Sequence, residues 1–198
     1  MTIYTVNIAA EIAMERSCGA KPHRTGSRIA ALLVRRLACD ALKKHDSELV
    51  FETNEYGKPR LKGGGFFYNI SHSGDYVAVA VHEAEVGVDI ERIKDRDCLK
   101  LAKRFFTDAE YEWIAEAEHE ERFYRLWTMK ESYIKYRGGG LSIPLDSFSF
   151  SSLEENICAA DDGTLCYTQR IFGEYFLTVC AEKIVKPEIR NVELDLLL

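Results

Sequence analysis

Residues 66–91 have the sequence FFYNISHSGDYVAVAVHEAEVGVDIE, in which short polar segments separate three apolar ones. Aromatic and β-branched residues in runs of this length are typical of β-strands. The sequence therefore predicts strands at Phe66–Ser71, Tyr76–Val81 and Val86–Ile90, with a polar loop at residues 72–75. We expect the second and third strands to pair as a hairpin, because only a short charged connection separates them.

Three other segments predict α-helices: Arg28–Leu42, Leu99–Phe106 and Glu120–Tyr136. Thr107 and Glu110 have the spacing of a capping box, which predicts the start of a further helix. The glycines at 138–140 predict the end of the helix before them, because glycine readily adopts the left-handed conformation that ends helices. Strands are expected again from Phe148 onward. This order of strands, helices and strands predicts an α+β fold rather than a parallel doubly wound sheet.

Charge and composition exclude several function classes. The 198 residues include 26 Lys and Arg against 32 Asp and Glu, a net charge of −6, which argues against non-specific binding of nucleic acid. No apolar run approaches the length of a membrane span, and the first ten residues do not resemble a secretory signal. We therefore expect a cytoplasmic protein that binds neither nucleic acid nor membrane.

The six cysteines are not arranged in a C-x-x-C pair or at zinc-site spacing. Several lie inside apolar runs. The sequence predicts that all six are reduced thiols, mostly buried, as is usual in a cytosolic protein.

Asp89 and Glu91 alternate with apolar residues in the third predicted strand. Residues two apart in a strand project from the same face, so the two carboxylates should lie side by side. Adjacent carboxylates repel each other unless a positive charge neutralises them. A divalent cation would do so, and the alternative is an exposed strand end paired with Arg92 or Lys94.

Glu131 lies within the apolar stripe of its predicted helix, between Trp127 and Ile134, where Trp127 is expected to be a core residue. An inward-facing carboxylate requires a partner. That partner is either a buried Lys or Arg, or a metal ion shared with Asp89 and Glu91. Lys135, four residues later, either pairs with Glu131 on the helix surface or neutralises a bound phosphate.

Several motifs together resemble the 4′-phosphopantetheinyl transferases, in particular the larger, surfactin-synthetase-activating type. Their order and spacing agree over about residues 51–150. The matching segments are YGKP at 56–59, FYNISHSG at 67–74, VGVDIE at 86–91, KRFF at 103–106 with Glu110, WTMKESYIK at 127–135, GGL at 139–141 and LDSF at 145–148.

The resemblance implies transfer of the phosphopantetheine arm of coenzyme A to a serine of an apo acyl or peptidyl carrier protein, with release of adenosine 3′,5′-bisphosphate. Asp89, Glu91 and Glu131 would bind Mg²⁺, with Mn²⁺ as an alternative. Glu131 would also be the catalytic base for the carrier serine, directly or through water. Lys135 would neutralise phosphate charge as the bond breaks.

The resemblance also implies contacts with coenzyme A. Ser71 and His72 would contact the nucleotide phosphates, Lys58 and Pro59 would line the adenine or 3′-phosphate end, and Lys130 would lie beside the site. Larger members of the family usually have a longer basic N-terminal segment for the 3′-phosphate. Here the basic residues before Leu32 are Lys21, His23, Arg24 and Arg28. We expect Arg24 or Arg28 to supply that contact.

The position of Asp89 far from the N-terminus resembles the two-half form of this family. That form implies two similar α+β halves, here residues 1–88 and 89–198, related by a pseudo-twofold axis with the active site in the cleft, and a monomer. Two alternatives remain open. One is another Mg²⁺-dependent phosphodiesterase or nucleotidyl enzyme. The other is a carrier-protein or nucleotide-binding module without enzymatic activity.

Overall fold

The computed structural model describes residues 1–19 and 24–197. Its helices are α1 (Ala9–Ser17), α2 (Thr25–Leu42), α3 (Cys98–Phe105), α4 (Asp108–Glu116) and α5 (His119–Arg137). Its strands are β1 (Thr2–Asn7), β2 (Phe51–Thr53), β3 (Pro59–Leu61), β4 (Phe67–Ser73), β5 (Tyr76–His82), β6 (Gly87–Arg92), β7 (Phe150–Ser151), β8 (Ile157–Ala160), β9 (Leu165–Ile171), β10 (Tyr175–Ala181) and β11 (Glu188–Asn191).

Most strands belong to two sheets. The first has the order β11-β1-β5-β4 and the second β6-β10-β9-β8-β7, while β2 and β3 form a separate pair. All pairings are antiparallel except that of β1 with β11. Helices beside mainly antiparallel sheets make this an α+β protein, as the sequence predicted.

The same connection occurs in both sheets. In the first, β1 pairs with β5, the second strand of the β4–β5 hairpin. In the second, β6 pairs with β10, the second strand of the β9–β10 hairpin. In each case helices lie between the first strand and the hairpin along the chain.

The predicted hairpin of Tyr76–Val81 with Val86–Ile90 is wrong. Strand β5 is bonded on one edge to β1 and on the other to β4, so neither edge is free for β6. Strand β6 pairs with β10 in the other sheet instead. The predicted loop at 72–75 is also too long, since His72 and Ser73 belong to β4 and the turn is at Gly74, where φ is +55°.

The helix boundaries agree well with the sequence signals. Thr107 and Glu110 form the predicted capping box at the start of α4. Helix α5 ends at Arg137 and is capped by Gly138, which has φ of +70°. Each sheet has its own layer of buried apolar side chains under a long helix: Ile29 and Leu33 of α2 lie in one cluster, and Met129 and Ile134 of α5 lie in another.

The expectation of six reduced cysteines is wrong for one pair. Cys166 of β9 and Cys180 of β10 form a disulfide, with a Cα–Cα distance of 4.1 Å. The two residues are directly opposite each other across the antiparallel ladder, which brings their side chains close without any feature that the sequence spacing would reveal. Cys18, Cys39, Cys98 and Cys158 are free thiols.

None of the helices in the described part of the chain combines the length and the apolar character that crossing a membrane would need. Strand β11 runs parallel to β1 at the edge of the first sheet. Residues 188–191 therefore pack with the sheet of the N-terminal segment, although the other described strands from Gly87 onward belong to the second sheet.

Candidate active site

Polar side chains of β4 connect the first sheet to β6 of the second. Asn69 accepts a hydrogen bond from the backbone N–H of Val88 at 2.9 Å. Ser71 donates to Asp89 Oδ1 at 2.8 Å, and Ser73 donates to Glu91 Oε2 at 2.7 Å. Residues two apart on a strand share a face, so this alternating set holds β6 along the whole seam between the sheets.

Asp89 is the most enclosed carboxylate of the seam, with 3% of its surface exposed. Lys135 of α5 donates to its Oδ1 at 2.6 Å, and also to Ser71 Oγ at 3.0 Å and the carbonyl oxygen of Val88 at 3.2 Å. Oδ2 of Asp89 is buried and has no hydrogen-bond partner in the described residues. A buried carboxylate oxygen without a partner is costly, so Oδ2 is an acceptor that a ligand in the cavity could satisfy.

Glu131 faces Asp89 and Glu91 from α5. Burial, followed by the negative charge of Asp89, raises the pKa of Glu131 to about 7, with Lys135 acting in the opposite direction. Burial and then the charge of Asp89 also raise the pKa of Glu91. The three carboxylates therefore share one electrostatic environment in which Lys135 does not neutralise all of them.

These side chains line one open cavity of about 360 Å³. Its lining residues are Ser27, Ile70, Ser71, His72, Asp89, Glu91, Trp127, Glu131 and Lys135. The cavity thus combines three carboxylates with a lysine, a histidine and hydroxyl groups, contributed by α2, β4, β6 and α5.

The three carboxylates fit a hard divalent cation. Oxygen donors are the ligands that Mg²⁺ prefers, and the unpartnered Oδ2 of Asp89 together with the raised pKa of Glu131 indicates a deficit of positive charge. The side chains are not already drawn together, however: the described part of the chain has no group of three Asp, Glu, His or Cys residues arranged as metal ligands. The Lys135 ammonium lies on Asp89 Oδ1, where it provides the nearest positive charge.

Comparison with known proteins identifies the family. A family model described as the 4′-phosphopantetheinyl transferase superfamily matches residues 85–180, and one described as the N-terminal part of 4′-phosphopantetheinyl transferase matches residues 20–84. The 4′-phosphopantetheinyl transferase Sfp of Bacillus subtilis (strain 168) is 38% identical to the chain, over 84% of this chain and 77% of that protein. The chain belongs to the 4′-phosphopantetheinyl transferase superfamily. It is a transferase, as the sequence motifs predicted.

A second relative supports the same assignment. The 4′-phosphopantetheinyl transferase AcpT of Salmonella typhi is 37% identical, over 69% of this chain and 74% of that protein. The superfamily match at residues 85–180 contains Asp89, Glu91, Glu131 and Lys135, the charged residues that the structure brings together.

His72 lines the carboxylate cavity. Its Nε2 is 3.2 Å from Ser27 Oγ, near the beginning of α2. Gly26 is required beside it, because a Cβ at that position would lie 2.7 Å from the imidazole Cγ. Partial burial and then the positive charge of Lys135 lower the pKa of His72, although the charge of Asp89 opposes this.

Lys58 and Pro59 line a second cavity of about 200 Å³, which shares Ile70 and Lys135 with the first. The Lys58 ammonium, however, points to the protein: it bonds Glu85 Oε2 at 2.6 Å and the carbonyl oxygens of Val86 and Tyr136 at 3.3 and 3.1 Å. Lys58 therefore lines the cavity beside the carboxylate cavity, but its charge is bonded within the protein.

The basic residues of the N-terminal segment that were expected to bind the 3′-phosphate do not line the carboxylate cavity where the structure describes them. Arg24 and Arg28 are exposed, and neither is among the described residues that line the carboxylate cavity. Arg28 pairs with Glu15 of α1 at 3.1 Å. Lys21 and His23 lie outside the described residues.

Lys130 does not join the site, so the predicted contact with coenzyme A is not retained. Its side chain is fully buried on the other face of α5, where Nζ pairs with Glu110 Oε2 at 2.7 Å. It also donates to the carbonyl oxygens of Leu145 and Phe148 at 2.5 and 2.7 Å. With all three protons bonded, Lys130 links α4, α5 and the segment after α5 as a structural ion pair.

Sequence reasoning missed several residues of the site. Trp127 packs against the core cluster, as expected, but it is only partly buried and also lines the cavity one helical turn before Glu131. The i, i+4 spacing carried that signal. Ser73 lies in the predicted loop, but it belongs to β4, and this extension of the strand places its hydroxyl on Glu91. Ser27 gave no sequence signal, because α2 brings it to the cavity from a distant part of the chain.

Proposed function

We propose that the protein transfers the 4′-phosphopantetheine arm of coenzyme A to a serine of an apo carrier protein and releases adenosine 3′,5′-bisphosphate. The observation that carries the proposal is the convergence of Asp89, Glu91, Glu131 and Lys135 in one cavity of a chain from this superfamily. Phosphoryl transfer depends mainly on positioning and charge stabilisation, which these residues provide.

In this proposal the serine Oγ of the carrier attacks the phosphorus next to pantetheine. The bond from that phosphorus to the bridging oxygen breaks, and adenosine 3′,5′-bisphosphate leaves with the electron pair. Glu131 accepts the serine proton, directly or through one water. Lys135 stabilises the charge that develops on the phosphate oxygens. No covalent enzyme intermediate is needed.

Asp89, Glu91 and Glu131 would hold Mg²⁺, or Mn²⁺ in its place. When bound, the cation supplies neutralisation of the pyrophosphate charge. Ser73 keeps Glu91 oriented through its 2.7 Å hydrogen bond, and Ser71 does the same for Asp89 at 2.8 Å. Such second partners hold ligands in the geometry that a metal requires.

Coenzyme A would extend from the carboxylates into the second cavity. Ser71 and His72 would contact its phosphates, and the Lys58–Pro59 backbone would line the adenine end, a path supported by the shared lining residues Ile70 and Lys135. Arg24, or Arg28 after release from Glu15, would contact the 3′-phosphate.

We further propose that residues 1–88 and 89–198 are two halves related by a pseudo-twofold axis, with the site in the cleft between them, and that the protein works as a monomer. The matching strand connections of the two sheets support the first point. In this division β6 begins two residues before the boundary, and β11 returns to the first sheet. The partner is an acyl or peptidyl carrier protein.

Intact-protein mass spectrometry of apo carriers tests the proposal. Carriers from a peptide synthetase, a polyketide synthase and a fatty-acid synthase would each be incubated with the protein, coenzyme A and Mg²⁺. We expect one of them to gain one phosphopantetheinyl group, and EDTA or the Glu131→Gln substitution to prevent the gain. A matched control is Glu112→Gln, on an exposed position of α4. Absence of any gain with all three carriers would refute the proposed reaction.

A further inference from the structure

The end of α5 is held by side chains from a different part of the chain. The last carbonyl groups of a helix have no partner within the helix. Lys58 Nζ donates to the carbonyl oxygen of Tyr136 at 3.1 Å, and Asn54 Nδ2 donates to that of Gly138 at 2.8 Å. A lysine at this end also interacts favourably with the helix dipole.

The same lysine reaches β6. Its ammonium donates to the carbonyl oxygen of Val86, the residue before β6 begins, at 3.3 Å. The side chain of Lys58 is only 13% exposed, and its third partner is Glu85 at 2.6 Å. Lys58 therefore connects the end of the helix that carries Glu131 and Lys135 to the start of the strand that carries Asp89 and Glu91.

Asn54 fixes the turn that presents Lys58. Its Oδ1 accepts hydrogen bonds from the backbone N–H groups of Tyr56 and Lys58 at 3.0 and 2.8 Å. The backbone of Asn54 also donates to the Lys58 carbonyl oxygen at 3.0 Å. The turn is thus closed by one amide side chain, whose remaining N–H₂ group bonds α5.

Helix and strand meet backbone to backbone at this end. A Cβ on Gly87 would lie 2.0 Å from the carbonyl oxygen of Ser132 and 2.4 Å from the backbone nitrogen of Tyr136. The strand therefore touches the last turns of α5 with no side chain between them. A small shift of the helix end would move Lys135 relative to Asp89, two residues beyond Gly87, and their 2.6 Å contact would open.

We propose that Asn54 and Lys58 form a clamp that positions α5 on β6 and thereby sets the geometry of Asp89, Glu131 and Lys135. This inference rests on the proposed transfer reaction. It gives the Lys58 ammonium a positioning role in place of the phosphate contact that the sequence suggested, because all three of its protons already have acceptors in the protein.

Lys58→Met tests the clamp, since methionine keeps most of the apolar stem and removes the ammonium. Arg60→Met is the matched control, because it removes an exposed cation from β3, two residues after Lys58. Steady-state transfer would be measured with coenzyme A and with 3′-dephospho-coenzyme A, at a temperature where circular dichroism shows each variant folded. Mg²⁺ affinity would be measured separately, from the rise of the unfolding temperature with Mg²⁺ concentration.

For Lys58→Met we expect kcat to fall about tenfold or more, KM for both nucleotides to change less than about twofold, and Mg²⁺ affinity to weaken about tenfold. Arg60→Met should have the same kcat, KM values and Mg²⁺ affinity as the wild type. A raised KM for coenzyme A alone, with kcat and Mg²⁺ affinity unchanged, would show a 3′-phosphate contact and overturn the clamp. Unchanged values throughout would overturn it as well.

Asn54→Asp is the second variant, for the case that Lys58→Met does not fold. Aspartate keeps the acceptor for the turn but replaces the donor to Gly138 with a negative charge at the helix end, so the same loss of kcat and Mg²⁺ affinity is expected. Normal kcat in Asn54→Asp would refute the clamp. A wild-type protein without transfer activity would refute the proposed function instead, so the two failures are distinguishable.

Discussion

Replacing Glu131 with glutamine should make the protein more stable at pH 8 when no divalent cation is present. Burial and the charge of Asp89 raise the pKa of Glu131 from the ordinary 4.5 to about 7 in the folded protein. Between these pH values the folded state retains a proton that the unfolded state has lost. The free energy of unfolding therefore decreases as pH rises through this window, and the full penalty is present above pH 7.

The expected magnitude follows from the two pKa values. Each pKa unit corresponds to about 1.4 kcal/mol, so ionised Glu131 should destabilise the folded protein by on the order of 3 kcal/mol at pH 8. Glutamine has nearly the same shape and cannot ionise. The free energy of unfolding of Glu131→Gln should therefore exceed that of the wild type by up to about 3 kcal/mol at pH 8. This difference in stability should vanish below about pH 4.5.

Urea denaturation in EDTA at several pH values between 4 and 8 measures this difference. Glu112→Gln, on an exposed position of α4, controls for the loss of one negative charge and should show no comparable trend. Added Mg²⁺ should stabilise the wild type but not Glu131→Gln, because the cation neutralises the same carboxylate. A difference that does not depend on pH, or a variant less stable than the wild type at pH 8, would refute the reasoning.

Three further outcomes are expected. Lys135→Ala should reduce kcat about 100-fold, measured by steady-state transfer, because a charge beside the reacting phosphate is lost; an unchanged kcat would assign Lys135 to structure alone. Glu110→Gln should lower the free energy of unfolding, measured by urea denaturation, by about 3–5 kcal/mol, because it leaves Lys130 buried without its counter-charge. A decrease of less than about 1 kcal/mol would contradict the structural role of this ion pair. Gly87→Ala should lower the yield of folded protein on gel filtration, since its Cβ would overlap the Ser132 carbonyl; a normal yield with normal stability would show that α5 can move.

Much of the site was predictable because it depends on local periodicity. The alternation of Asp89 and Glu91 with apolar residues placed both carboxylates on one face of a strand, and the helical spacing of Trp127 and Ile134 placed Glu131 inward. Both expectations agree with the lining of the cavity. The end of α5 at Gly138 and the start of α4 at Thr107 were predictable for the same reason, since capping depends on a few adjacent residues.

Strand partners were not predictable in this way. The short link between β5 and β6 favoured a hairpin, yet β5 is enclosed by β1 and β4, and β6 pairs with β10, more than 80 residues later. The Cys166–Cys180 disulfide depends on the register of the same sheet. Pairing of distant strands is decided by which edges and apolar faces remain free when the core assembles, and no local pattern encodes that.

The sequence by itself determined which side chains face inward and where the main helices end, because side-chain direction repeats every 2 residues in a strand and every 3.6 in a helix. Only the tertiary structure decided which charges meet. Lys130 and Lys135 both flank Glu131 in the sequence, but Lys130 is bonded to Glu110 in the core and Lys135 to Asp89 in the cavity. The two lysines are five residues apart on the helix, which is more than one full turn, so they project from different faces of α5. Their partners, Glu110 of α4 and Asp89 of β6, belong to elements that pack on these opposite faces.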